Sequence, residues 1–274
     1  MRSTVDTPLS FSSINFSPRF GCETGLVDVL QAAASTGYRC IGLDVWSVSR
    51  YAADGGSLAS LPGLLASLDL RCTDVVAIPI QPDRDATLAA AHRAIELAVA
   101  VGATVIGGGV AVESGIRLDA DVRTAFGACA AVVADAGLRL ALEYIPDSAV
   151  DSVPLARELC AEVGWDRAGL LVDSWQTFVA NQMDALAAAE PGEIAMVQIG
   201  DAVLPLQGEV VDEMRNRRLV PGAGNLDLPR FVEFLRTRSD VDFVALEVLS
   251  ASVRSSPPVP FARAALRAFD RLWS

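Results

Sequence analysis

Residues 138–146 read LRLALEYIP, 169–178 read GLLVDSWQTF, 195–202 read AMVQIGDA and 243–250 read FVALEVLS. Each is a short apolar run broken near its end by an oxygen-bearing side chain. In order these are Glu143, Asp173, Gln198 (with Asp201 three residues on) and Glu247. Between the runs lie Ala- and Leu-rich stretches with helical spacing. Apolar runs alternating with helical stretches are the signature of βα units around a parallel sheet.

Working outward, the same alternation covers the whole chain. Strands are predicted at Leu9–Phe16, Cys40–Trp46, Cys72–Ile80, Thr104–Val110, Leu138–Tyr144, Gly169–Asp173, Ile194–Ile199 and Phe243–Val248. The first helix has Thr24 as its cap and Gly37 at its end. A helix started by Asp119 buries Val122, Phe126, Cys129 and Val133 and stops at Gly137. Asp227 starts another, with Phe231, Phe234 and Leu235 apolar. A last helix from Pro260 buries Leu266, Phe269 and Trp273. Eight strands with about eight helices in 274 residues predict an α/β fold, a single-domain (β/α)8 TIM barrel over residues 1–274. The alternative is an open doubly wound sheet. That fold usually carries a Gly-rich phosphate turn after its first strand, and the segment here, SPRFGCETG, is no GxGxxG.

Composition removes several function classes. The chain is 51% apolar and 20% charged, which fits a globular enzyme and not a disordered segment. Its net charge is −12, and every basic residue is Arg. Such a surface repels phosphate backbones and anionic membranes, so neither nucleic acid nor a membrane is an expected partner. The run Leu97–Val112 is uncharged but glycine-interrupted, unlike a membrane span. The opening MRSTVDTPLSFSSINF lacks a long apolar stretch and a cleavage site, and a cytoplasmic location is expected. Cys22, Cys40, Cys72, Cys129 and Cys160 are odd in number and widely spaced, which predicts reduced thiols. The single histidine, His92, reads as an ordinary surface residue beside Arg93 and Glu96.

In an α/β barrel the active site lies at the C-terminal ends of the strands. Four successive strands each deliver an oxygen donor there. A carboxylate in an apolar strand is costly unless paired or bound to metal. Converging carboxylates also raise one another's pKa, and a divalent cation removes that penalty. The competing reading is that each acid pairs with an arginine at the rim. Asn15, Asp44 and Trp46 end the first two strands, and Tyr144 and Trp175 could wall an apolar part of the pocket.

These strand ends, with VQIGDA (197–202) and RNRRLVPGAGNLDL (215–228), resemble the xylose-isomerase-like TIM barrel family. It comprises sugar phosphate isomerases and epimerases together with the apurinic endonuclease 2 branch. The resemblance implies a divalent metal held by Glu143, Asp173, Gln198 and Glu247. Gln198 stands where His is usual, although dehydroshikimate dehydratases have Gln there too. Four oxygen donors favour Mn2+ or Mg2+, with Co2+ as a further option. The resemblance also implies a substrate-binding arginine in the loop after the seventh strand, read as Arg217. Gln176 falls where the family often has a histidine, and an amide cannot transfer a proton. Gln176, Trp46 and Trp175 complete the expected substrate contacts. The loop sequence Pro221-Gly222-Ala223-Gly224 departs from the common Pro-Gly-Glu-Gly.

With no histidine or lysine available, Glu143 and Glu247 are the expected proton carriers. The reading is a metal-dependent isomerase or epimerase acting through an enediolate on a sugar, polyol or keto-sugar derivative. The alternatives are a lyase of the dehydroshikimate or keto-inositol dehydratase type, and a metabolite-binding barrel without catalysis. The expected partner is a small molecule, and family members often pair as homodimers or homotetramers.

Overall fold

The computed structural model describes residues 7–110 and 115–274. The remaining residues, 1–6 and 111–114, include the start of the N-terminal segment and the end of the Leu97–Val112 run, which therefore lie outside the described residues. Eight parallel strands close into a barrel in sequence order. They are β1 (Leu9–Ser12), β2 (Cys40–Asp44), β3 (Arg71–Ile80), β4 (Val105–Val110), β5 (Arg139–Glu143), β6 (Ala168–Asp173), β7 (Ile194–Ile199) and β8 (Val244–Leu246).

The ends of several strands differ from the sequence expectation, each for a local reason. β1 stops at Ser12, where the chain turns into a 3-10 segment over Ser13–Phe16. β2 stops at Asp44, whose side chain accepts the Ser47 amide and caps the helix Val45–Ala53. Gly25, not Thr24, occupies the cap of the helix Leu26–Thr36, and Gly37 ends it in the left-handed region. Asp119 and Asp227 cap the helices Ala120–Asp135 and Leu228–Arg236 as read. The last helix begins at Pro258 and buries Phe269, while Leu266 and Trp273 are only half-buried.

Alternation along the strands divides the core in two. Ala141, Leu171, Met196 and Ala245 belong to a small apolar cluster with Val76 and Val105. Each lies two residues before Glu143, Asp173, Gln198 or Glu247, so the small cluster is the floor beneath those four side chains. The opposite strand faces, among them Leu140, Leu142, Leu170, Val172 and Val197, join the larger core that packs against the helices. Gly107 is required by this floor: a Cβ there would lie 2.8 Å from Val76 Cγ1 and 3.2 Å from Leu171 Cδ1.

The barrel seam is clasped by a side chain. β8 is only three residues long. Asn15 Nδ2 donates to the carbonyls of Ser12 (2.8 Å) and Leu246 (2.9 Å), and its Oδ1 accepts the Val248 amide (2.6 Å). Buried backbone groups that the short strand leaves without a ladder partner are satisfied in this way. All five cysteines are free and buried. His92 is exposed on the helix Arg84–Val101. Among the described residues no helix is long and apolar enough to cross a membrane.

Candidate metal centre and cleft

Glu143, Asp173 and Glu247 converge at the C-terminal end of the barrel. Each places a carboxylate oxygen within 4.8 Å of the others. The strands fix this arrangement, because Glu143 and Asp173 are the last residues of β5 and β6, and Glu247 follows β8 directly.

Two amides and one cation hold the three acids. Gln176 Nε2 donates to Glu143 Oε1 at 2.9 Å. Gln198 Nε2 donates to Glu247 Oε2 at 2.5 Å. Asp173 Oδ1 accepts the backbone N–H of Trp175 (2.6 Å) and Gln176 (3.4 Å), while Oδ2 accepts from Arg218 Nη1 at 2.7 Å. Arg218 Nη1 also stands 3.5 Å from Glu247 Oε1. Burial, reinforced by Asp173, pushes Glu143 up to about 7. Burial also pushes Glu247 well above the usual carboxylate range; Arg218 opposes that rise, and Asp173, Glu143 and Asp74 add to it.

The residues fit a divalent ion. With all three carboxylates ionised, the one guanidinium leaves a net charge of −2, which a divalent cation would balance. Hard oxygen donors match the same class of cation. The Oε1 atoms of Gln176 and Gln198 are buried and accept no hydrogen bond, and buried acceptors of this kind ordinarily have a partner.

Glu143 and Glu247 open onto a cleft of about 900 Å3, its solvent-filled mouth included. Gln176, Gln198 and Arg218, which touch the acids, line it, as does Arg215. Trp46, Ile78, Val110 and Gly107–Gly109 lie among the residues that line it elsewhere. Arg217 is not part of the lining. Its side chain is about half exposed and its Nε donates to Asp212. The neighbouring Arg218 is the arginine of this loop that reaches the acids, with only 1% of its side chain exposed. Parity separates the two: Arg217 bridges to Ser250 and Leu219 to Asp201, and along an extended segment adjacent side chains point to opposite sides. Trp175 also lies off the cleft. It is fully buried, with Arg218 Cζ 5.2 Å from its ring centroid.

Other polar rim residues have structural work. Asp44 accepts from the hydroxyls of Ser13 and Ser17 as well as capping its helix. Asp201 collects four backbone amides, those of Ala202, Gly222, Gly224 and Leu226, and so shapes the loop that carries Arg218. Gly224 is indispensable there, because a Cβ would lie 2.1 Å from the Ala202 carbonyl oxygen. Asp74 was not among the sequence candidates. It is a fully buried acid on β3 whose Oδ2 has no partner, and burial pushes it up to about 6. Its signal was available, since one acid interrupts the apolar run RCTDVVAIPI.

The model of the xylose isomerase-like TIM barrel family matches residues 30–272. The chain belongs to that family. The solved structure of IOLI protein with a bound zinc atom is similar, with 16% identity, a TM-score of 0.83, and 97% of this chain and 98% of that one covered. The probable 3-DHS dehydratase AsbF of Bacillus anthracis, involved in petrobactin synthesis, gives 15% identity, a TM-score of 0.77, and coverage of 96% and 98%. D-allulose 3-epimerase from Methylomonas sp., in complex with D-allulose, gives 18%, 0.70, and 97% of each chain. At these identities the likeness is one of fold. No curated protein sequence matches the chain significantly.

Proposed function

We propose that this family member is a divalent-metal-dependent isomerase or epimerase of a sugar, polyol or keto-sugar derivative. The observation that carries the reading is the pair Glu143 and Glu247. Their carboxyl groups come from strands separated by two others, line one cleft, and are each held by a single amide donor. Glu143, Asp173 and Glu247 would hold the ion, with Gln198 as a further oxygen donor. When bound, the ion supplies electrophilic polarisation of a substrate carbonyl.

The chain's own residues supply the rest. One of the two glutamates takes the proton from the carbon beside the carbonyl, giving an enediolate. The other returns a proton to the neighbouring carbon or to the opposite face. Gln176 holds Glu143 at a fixed angle, and Gln198 does the same for Glu247. Asp173 is fixed by Trp175 N–H and Arg218, which suits holding over proton transfer. Trp46 and the neighbouring apolar residues give the cleft an apolar wall beside the acids.

A second reading follows from the same first step. Loss of a β-hydroxyl from the enediolate makes the enzyme a dehydratase, and the amide at position 198 is the observation that favours it. The two are separated by incubating Mn2+-loaded protein in D2O with keto-sugars and cyclic hydroxy-ketones. Deuterium at the α-carbon with isomerised product supports the isomerase or epimerase. Enone or aromatic absorbance from 3-dehydroshikimate or a keto-inositol supports the dehydratase. Ligand binding with no exchange on any of them returns the barrel to a metabolite-binding role.

A further inference from the structure

We infer that Arg218 is a built-in counter-cation of the acidic centre, holding Asp173 and Glu247 together in the metal-free protein and lowering the affinity for a divalent ion. The inference rests on reading the triad as a metal centre. Its basis is the placement of one guanidinium. Nη1 lies 2.7 Å from Asp173 Oδ2 and 3.5 Å from Glu247 Oε1, inside the barrel mouth and not at its rim.

This cation is anchored. Its Nε donates to the Met214 carbonyl at 2.8 Å, and its backbone N–H donates to the Leu249 carbonyl. Its guanidinium lies against Trp175, and the backbone on either side is bridged to Ser250 and Asp201. A surface arginine on a free stem would swing away when an ion arrived. Arg218 is tied at Nε, so an arriving ion meets its charge at close range. Two cations a few ångströms apart in a buried site repel by far more than a factor of ten in affinity. The same charge offsets the cost of burying Asp173 and Glu247 when no ion is present. An ion held beside Arg218 is therefore exchangeable, while the site around it keeps its shape.

The test measures Mn2+ affinity by calorimetric titration, with no substrate and no assay of turnover. The proteins are the wild type, R218Q, R218K and R217Q. R218Q is expected to bind Mn2+ at least about tenfold more tightly than the wild type. R217Q lies outside the cleft and should stay within about threefold, while R218K keeps the charge but loses the Nε tie and should fall between the wild type and R218Q. Metal-free R218Q should also melt at a lower temperature than the wild type, the gap closing as Mn2+ is added. If R218Q is too unstable to titrate, R218M, which keeps the stem against Trp175, replaces it. Wild-type binding with unchanged or weaker affinity in the uncharged variant overturns the inference alone. Failure of both proteins to bind Mn2+ overturns the metal reading and the inference with it.

Discussion

The two halves of the barrel end differently. β5 to β8 bring Glu143, Gln198 and Glu247 to the cleft, with Asp173 buried against Arg218. Two polar side chains at the ends of the first two βα units are instead consumed by structure: Asn15, in the 3-10 segment after β1, clasps the seam, and Asp44 ties a loop and caps a helix. β4 ends in three glycines and Val110. Hydrogen-bonding capacity left over after the backbone has been satisfied separates Gln176 and Gln198 from Asn15. Asn15 has nothing left over, whereas Gln176 and Gln198 each retain a free oxygen.

Neutralising the acids of the second half should have the largest effect. Glu143→Gln and Glu247→Gln should each lower α-proton exchange by about 10^3-fold or more while the protein stays folded. Retention of most of the exchange would remove that glutamate from the reaction. The first half should instead respond in stability. Asn15→Ala removes the side-chain bonds to the Val248 amide and to the Ser12 and Leu246 carbonyls and should cost roughly 2–3 kcal/mol in urea unfolding. Exchange activity of the folded fraction should remain close to wild type. A stable N15A with impaired exchange would move Asn15 into the site.

The acids also give the metal-free protein a pH signature. Glu143 is raised from its ordinary value to about 7 in the folded state. The folded protein therefore binds this proton more tightly than the unfolded chain does. The associated stability is present below the unfolded pKa of about 4.5 and is lost as pH rises through about 7. Urea midpoints measured across that window should fall with rising pH, and E143Q should flatten the slope. A wild-type slope unchanged by E143Q would place the proton elsewhere. The smallest effect belongs to Arg217→Ala. An exposed pair with Asp212 is worth under about 1 kcal/mol, so stability and exchange should both hardly change. A large loss of exchange in R217A would reverse the assignment of the loop arginine to Arg218.

Much of this was legible in the sequence because parallel βα units leave a strong trace. Apolar runs alternate with helical stretches, and an acid at the end of a buried run stands out against the cost of burying it. That logic picks out Glu143, Asp173 and Glu247, which the fold brings together, and does not reach Arg218. Arg215, Arg217 and Arg218 are chemically identical, and only the pairing of Arg217 with Ser250 and Leu219 with Asp201 decides which one turns inward. Such pairing is made by tertiary contacts and leaves no periodic mark. Trp175 was misjudged for a related reason. Position after a site residue does not say which side of the helix turn an indole takes, and this one faces inward behind Arg218. Asp74 was missed although the same burial argument applied to it, because it lies in mid-strand, away from the strand ends where function was sought.

The central claim is that Glu143, Asp173 and Glu247 form one divalent-metal centre. Equilibrium dialysis of the wild type, E143Q and E247Q against Mn2+, with the bound metal counted by elemental analysis, tests it most directly. About one ion per wild-type chain, lost in both variants, is the expected result. No uptake by the wild type, or uptake that survives both substitutions, would contradict it.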